Sequence, residues 1–301
     1  MSGAKRFFTT AGFLLQGYAF YALWSRSLVW PLIWPKGPAL YVCVWLLYFS
    51  GYLLMNAMLT SELIEKTQLE ADQIAARQIQ QTLIPEKLED IPGYEVESFY
   101  QPFRAVGGDY FDVIPLAGGR TLFALADVSG KGIAAALLAA NIQALVRSLA
   151  SVDPRPLTLA RQINQHLSRY SPSDRFATAV FLLLDPDSGE LTYVNAGHPP
   201  PIVSGLPSIT LLEATGTPLG LMSDASYEEG KSALATGGSL LLFTDGLTDS
   251  ITGNAFELMG HALDGAPDKC MSKVKSLMDV KSVEDDVTIL LARRLGNAAG
   301  T

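Results

Sequence analysis

Cysteine and histidine are scarce in this chain. Cys43 and Cys270 are the only cysteines in 301 residues, too few for a disulfide framework and in keeping with a reducing compartment. Three histidines, His166, His198 and His261, argue against a zinc site of the Cys/His type. Positive charge is also in deficit: 22 Lys and Arg face 30 Asp and Glu, a formal net charge of −8. A nucleic-acid-binding surface needs a basic face to neutralise phosphates, so no nucleic-acid partner is expected. Internal repeats and low-complexity segments are absent. The length points to one medium domain with added segments.

Long apolar runs are present, and they crowd the N-terminal end. Residues 7–25, between Arg6 and Arg26, form an uncharged run of about 19, near the minimum for a membrane span. Residues 37–61, between Lys36 and Glu62, form a second of about 25, enough to span with some tilt. Trp24, Trp30, Trp34, Tyr41 and Tyr52 lie near the run ends, where amphipathic rings sit at headgroup depth. Pro31, Pro35 and Pro38 break the stretch between them. The pattern predicts a transmembrane helical hairpin over residues 1–61, with helices at about 7–25 and 38–60. A cleaved signal peptide followed by one anchor is the alternative. Trp24-Ser25-Arg26 offers no small-residue cleavage site for it. Lys5, Arg6, Arg26, Lys36 and Lys66 do not decide the orientation.

Residues 62–84 are rich in Ala, Gln, Glu and Leu and free of Gly and Pro, so a connector helix is expected, stopped by Pro85. Leu63, Ala71, Ile74, Ala75 and Leu83 lie roughly on one stripe, interrupted by Gln78 and Gln81. Two uses stay open: packing on the following domain, or pairing with a second copy as a signalling helix.

Alternation over 94–102 and apolar runs at 110–115, 121–126, 176–184, 191–195, 239–243 and 287–292 predict strands. Breaker-free stretches at 132–150 and 156–169 predict helices. Turn chemistry at Ala117-Gly118-Gly119-Arg120 and Asp185-Pro186-Asp187-Ser188-Gly189 predicts hairpins. The expected fold is therefore α+β, with mainly antiparallel sheets and helices packed outside.

Four acidic patches punctuate these elements: Gly107-Gly108-Asp109, Asp127-Val128-Ser129-Gly130, Thr244-Asp245-Gly246 and Glu284-Asp285-Asp286. A carboxylate at the end of a buried strand needs a counter-charge or donors. No Lys or Arg sits beside Asp127 or Asp245 in the chain. Hard divalent ions suit such oxygen-rich sites, and a pair of them can activate a water toward phosphorus. Taken singly, each patch has a plainer reading. Asp245-Gly246 is a common turn, Asp127 could cap the helix near Gly132, and Asp285-Asp286 could be a solvated loop. Their joint occurrence carries the metal reading. Ser129-Gly130-Lys131-Gly132 does not make a phosphate loop, because its first glycine is misplaced and no Ser or Thr follows the lysine. Asn195-Ala196-Gly197-His198-Pro199-Pro200 reads as a rigid turn, with His198 holding it by hydrogen bonds rather than acting as a general acid.

Ala105-Val106-Gly107-Gly108-Asp109-Tyr110-Phe111-Asp112, Ala126-Asp127-Val128-Ser129-Gly130-Lys131-Gly132, Asn195-Ala196-Gly197-His198-Pro199-Pro200, Phe243-Thr244-Asp245-Gly246 and Asp285-Asp286-Val287-Thr288 follow in that order. Together they resemble the bacterial SpoIIE/RsbU-type branch of the PPM (PP2C-like) serine/threonine phosphatases, over roughly residues 75 to 294. Gln78-Ile79-Gln80-Gln81-Thr82-Leu83-Ile84-Pro85 is similar to the lead-in that these domains share. The resemblance implies an α-β-β-α sandwich of two antiparallel sheets over residues 86–294. It implies two Mn²⁺ or Mg²⁺ ions and hydrolysis of phosphoserine or phosphothreonine by a metal-activated water. By motif, Asp127 would bridge both metals and the Val128 carbonyl would be a ligand. Asp245 and Asp285 would complete one metal, Asp109 would serve the other, and Asp286 would stand behind the ligands.

Eukaryotic relatives carry Asp-Gly-His where this chain has Asp127-Val128-Ser129, so no histidine is matched there as general acid. The resemblance further implies a cytoplasmic catalytic domain at the inner membrane and a phosphorylated STAS-type regulator as substrate, with a homodimer through the connector as one option. A catalytically silent phosphoprotein-binding relative and a small-molecule phosphatase are the alternatives.

Overall fold

The structure is a computed structural model. It describes residues 17, 18, 21, 38–85, 88–104, 106–172, 174–205, 208–263, 269–279 and 281–296. It divides into two compact units, residues 1–70 and 71–301.

In the first unit the first apolar run lies almost wholly outside the described residues. The second run opens a single helix, α1 (Pro38–Leu83), which continues through the connector sequence and stops two residues before Pro85. Proline disfavours helical geometry in the residue before it, which explains the stop.

Among the described residues the second unit holds ten strands and five further helices. In chain order they are β1 (Tyr94–Gln101), β2 (Asp109–Pro115), β3 (Thr121–Val128), α2 (Ile133–Ala150), α3 (Pro156–Tyr170), β4 (Ala177–Leu184) and β5 (Glu190–Ala196). Then follow β6 (Ile202–Gly205), β7 (Ser208–Leu211), β8 (Gly230–Ala233), β9 (Ser239–Phe243), α4 (Asp245–Asp249), α5 (Ala255–Leu263), α6 (Cys270–Ser276) and β10 (Val287–Arg294). One sheet has the order β1-β10-β9-β6-β7, the other β2-β3-β4-β5-β8. Every strand pairing within them is antiparallel.

Side-chain alternation sorts each strand into two buried faces. Phe123 and Leu125 of β3 point between the sheets, with Phe111, Val180, Leu182, Leu240, Leu242 and Leu290. Leu122, Ala124 and Ala126 point outward, under Ala135, Ala139, Ile142 and Val146 of α2 and Leu159 and Ile163 of α3. On the other sheet, Leu241, Phe243, Ile289 and Leu291 meet Met259, Leu263 and Val274 of α5 and α6. The result is helix, sheet, sheet, helix. Strands buried on both faces read as unbroken apolar runs, which is why 121–126 and 239–243 carry little alternation.

Among the described residues one helix, α2, is long and apolar enough to cross a membrane by length and composition. Its alanine face is packed on the sheet, and Arg147 near its end grips Asp112 of β2 with a fork at 2.7 and 3.1 Å. It is a core helix. The two-span hairpin therefore rests on the apolar runs themselves.

The predicted elements agree within about two residues at each end, ordinary fraying of boundaries. Short strands β6, β7 and β8 and helices α4 to α6 carry no expectation from sequence. They are four to nine residues long, too short to show a period. Deleting an aromatic plug from the layer between the sheets has a definite cost. Phe123→Ala is expected to lower unfolding stability by about 3–5 kcal/mol in denaturant titration, through lost burial and the cavity left behind.

Candidate metal-dependent phosphatase site

The acidic patches meet at one end of the sandwich. Asp109 opens β2 and lies directly across from Asp127, near the end of β3, in the β2–β3 ladder. Asp127 in turn faces Thr178 of β4. From the other sheet, β9 ends at Phe243 and leads through Thr244 into Asp245, the first residue of α4. Asp285 and Asp286 immediately precede β10.

Asp109 is 2% exposed. Its Oδ2 accepts hydrogen bonds from Thr244 Oγ1 at 3.0 Å and from Thr288 Oγ1. Both threonines belong to the opposite sheet, and each also ties to the other: Thr244 N–H donates to the Thr288 carbonyl and Thr288 N–H to Thr244 Oγ1. Asp109 Oδ1 is buried and makes no hydrogen bond. Burial, then the charge of Asp127, holds the Asp109 carboxyl well above the usual carboxylate range. Asp127 is pushed up to about 7, first by burial and then by the charges of Asp245, Asp285 and Asp286. Asp245 is raised by partial burial and by Asp249 and Asp285. An orphaned buried oxygen and mutually repelling carboxylates are what a bound cation relieves.

Asp286 behaves differently from its neighbour. Its Oδ1 accepts the Phe103 N–H at 2.8 Å and its Oδ2 the Gly108 N–H at 2.6 Å. Both oxygens are thus engaged in tying the loop before β2 to the start of β10. Asp285 is more open and pairs with Lys131 Nζ at 2.7 Å. Lys131 Nζ also donates to the Glu284 carbonyl at 2.8 Å. The Val128 carbonyl lies beside Gly108, where an added Cβ would stand 3.1 Å from it. A side chain at 108 would crowd that oxygen.

Among the described residues, no group of three or more acidic or histidine side chains closes into a metal-ligand cage. The donor chemistry nevertheless fits hard divalent ions: carboxylates, a backbone carbonyl and room for water, without thiolate or imidazole.

His198 stands beneath the site as a brace. Its Nε2–H donates to the Phe243 carbonyl at 3.1 Å, which leaves Nδ1 to accept from Thr178 Oγ1 at 2.8 Å. Asn195 closes the turn around it, accepting the His198 N–H and donating to its carbonyl. Burial holds the imidazole neutral, with its pKa lowered to about 3.

Thr244, Thr288 and Lys131 have no role assigned from sequence, although all three stand inside the quoted motifs. Nothing local marks a hydroxyl that reaches an aspartate more than forty residues away. At the serine that replaces the expected histidine, Ser129 Oγ accepts the Phe176 N–H at 3.0 Å and its carbonyl accepts from Arg175 at 2.9 Å.

A model of the family described as Stage II sporulation protein E (SpoIIE) matches residues 117–295. The chain belongs to the SpoIIE family. Among curated relatives, the phosphoserine phosphatase RsbU of Bacillus subtilis is 27% identical over 231 residues, covering 73% of this chain and 69% of that protein. The phosphoserine phosphatase RsbP of the same organism is 28% identical, covering 58% of this chain and 44% of RsbP. Among solved structures, the RsbU and RsbW domains of a Mycobacterium tuberculosis protein superpose with a TM-score of 0.59 at 28% identity, over 68% of this chain and 62% of that one. The SiaA-PP2C domain of Pseudomonas aeruginosa superposes with a TM-score of 0.63 at 20% identity, over 77% of this chain and 98% of that domain. This SpoIIE-family chain is thus a PPM serine/threonine phosphatase with the PP2C-like sandwich.

The buried histidine yields a pH signature. Its folded pKa lies below the unfolded value of about 6.5, so as pH falls through 6.5 the unfolded chain takes up a proton that the folded chain refuses. Between pH 7 and pH 5 this group should remove about 2 kcal/mol of stability. His198→Gln should lack that component, so its denaturation free energy should fall less than the wild-type value over this interval.

Proposed function

We propose that this SpoIIE-family chain is a membrane-anchored phosphoprotein phosphatase with Asp109, Asp127, Val128, Asp245 and Asp285 as its metal residues. The observation that carries the reading is Asp109, a buried carboxylate with one oxygen held by two threonines and the other unpartnered, directly across from an Asp127 whose pKa is raised to about 7. Asp127, Asp109, Asp245, Asp285 and the Val128 carbonyl would hold the ions between them, with Asp245 and Asp285 serving one ion and Asp109 the other. Mn²⁺ or Mg²⁺ bound there supplies a water of lowered pKa and positive charge against the phosphoryl oxygens.

The chain's own groups do the rest. Thr244 and Thr288 aim Asp109, and their hydroxyls favour its charged form against the burial that opposes it. Asp286 holds the loop and stays out of the ligand set. Lys131 is a cation at the edge of the site, suited to an incoming phosphate dianion. His198 has both ring nitrogens engaged and is not the proton donor.

The substrate assignment extends from the relatives. RsbU and RsbP are phosphoserine phosphatases, and the mycobacterial structure contains an RsbW domain together with its RsbU domain. A phosphorylated STAS-type anti-anti-sigma regulator is the substrate class that this kinship supports. Membrane anchoring is supported by α1, which leaves Leu46, Phe49, Leu53, Leu54 and Met58 exposed. An uncovered apolar surface of that kind is costly in water and normal in lipid. A hairpin would keep both its ends on one side of the membrane, and kinship with the SpoIIE/RsbU-type phosphatases supports the cytoplasmic face of the inner membrane for the catalytic unit. Farther along α1, exposed Ile64, Leu69 and Ile74 support pairing with a second copy.

The full-length chain should hydrolyse p-nitrophenyl phosphate with Mn²⁺ and stop with EDTA; turnover that survives chelation would sink the mechanism. Asp127→Asn provides a second check. Because its folded pKa of about 7 lies above the unfolded carboxylate value of about 4, Asp127 lowers the stability of the metal-free fold as pH rises between the two, and the full loss is present above pH 7. The variant should therefore melt at or above the wild-type temperature without metal, gain nothing from Mn²⁺, and show no turnover.

A further inference from the structure

The lead-in sequence before Pro85 ends against the acidic site. Gln80, on the last turn of α1, is 8% exposed. Its Nε2–H donates to the Gly107 carbonyl at 2.7 Å, and its Oε1 accepts the Gly107 N–H at 3.1 Å. The carboxamide thus pairs with both backbone groups of one residue, as a neighbouring strand would. Ile84, one turn on, packs with Leu88 against the core between the sheets and seats that end of the helix. Gly107 has no room to substitute for this grip with a side chain of its own. A Cβ there would collide with the Tyr100 hydroxyl and the Asp286 carboxylate. The next amide, Gly108 N–H, goes to Asp286 Oδ2, and the residue after it is Asp109. The Gly107–Asp109 turn is therefore gripped by α1 on one side and by the start of β10 on the other.

We propose that Gln80 is a positioning residue for Asp109: by clamping the Gly107 peptide it holds the turn in the place where Asp109 can serve a metal, so displacement of the last turn of α1 is felt at the site. The inference rests on the metal reading of Asp109. A carboxamide supplies a donor and an acceptor side by side; an apolar isostere supplies neither, and an ionised carboxylate lacks the donor. A buried carbonyl or N–H left unpaired is costly, and the turn moves to recover a partner. Groups that orient a metal ligand from behind govern affinity for the ion more than the fold.

The test uses the full-length chain with Gln80→Met, Gln80→Glu and, as a control on the same helix, Gln78→Met, since Gln78 is exposed. Amide exchange over residues 103–109 is measured without metal, and Mn²⁺ binding is measured by titration calorimetry. For both Gln80 variants the expected result is faster exchange confined to that segment and Mn²⁺ affinity weakened about 10–100-fold, as for other groups behind a metal ligand. The metal-free melting temperature should fall only modestly, by the cost of the unpaired Gly107 peptide, with the chain still folded. Gln78→Met should match wild type in every respect. Wild-type exchange and wild-type Mn²⁺ affinity in a folded Gln80 variant overturn the proposal, as does an equal loss in Gln78→Met. A wild-type chain that binds no Mn²⁺ overturns the metal reading instead, and the exchange measurement then still decides whether Gln80 clamps the turn.

Discussion

Everything at the active end of this protein follows from burying one carboxylate at the joint between two sheets. Asp109 sits on the first strand of one sheet, and the hydroxyls that hold it come from the other: Thr288 on β10 and Thr244 one residue past the end of β9. A buried charge tolerates that position only with donors or a cation beside it. Thr244 and Thr288 satisfy one oxygen, and the second accepts no hydrogen bond. The sandwich thus does two things with one residue: it ties its sheets together at the site, and it leaves one buried carboxylate oxygen without a hydrogen bond.

Around that carboxylate the remaining groups separate into those that hold and those that are held ready. Asp286 and His198 belong to the first kind. Asp286 uses both oxygens on backbone amides, and His198 joins Thr178 of one sheet to the Phe243 carbonyl of the other. Asp127, Asp245 and Asp285 belong to the second. Their charges repel one another, and the cation that reaches them is Lys131, on Asp285. Adjacent residues fall on opposite sides of this division: Asp285 faces the site while Asp286 is built into its wall. An antiparallel strand entering the sheet points successive side chains to opposite faces, and here the two faces are site and loop.

Much of the fold is legible along the chain because its elements are long and strongly patterned. The Ala- and Leu-rich stretch at 132–150, the Asp185–Gly189 turn and the apolar run at 239–243 each announce a helix, a hairpin and a buried strand through local chemistry. The four-residue strands β6, β7 and β8 do not. Their conformation is imposed by neighbours, β6 by β9 and β8 by β5, so no local pattern marks them. The site divides the same way. The aspartates stand out because a charge after an apolar strand is anomalous. Thr244, Thr288 and Gln80 are ordinary residues in sequence, and their function lies in partners 27 to 179 positions away.

Neighbouring residues alone specify the layered α+β class, the family and the set of carboxylates, because periodicity, turn chemistry and motif order are local properties. Which of two adjacent aspartates is latched and which is open, why His198 is a brace, and how the helix before Pro85 reaches the Gly107 turn emerge in the folded chain. Those features depend on hydrogen bonds between distant segments, and the geometry of such bonds exists only once the two sheets have closed on each other.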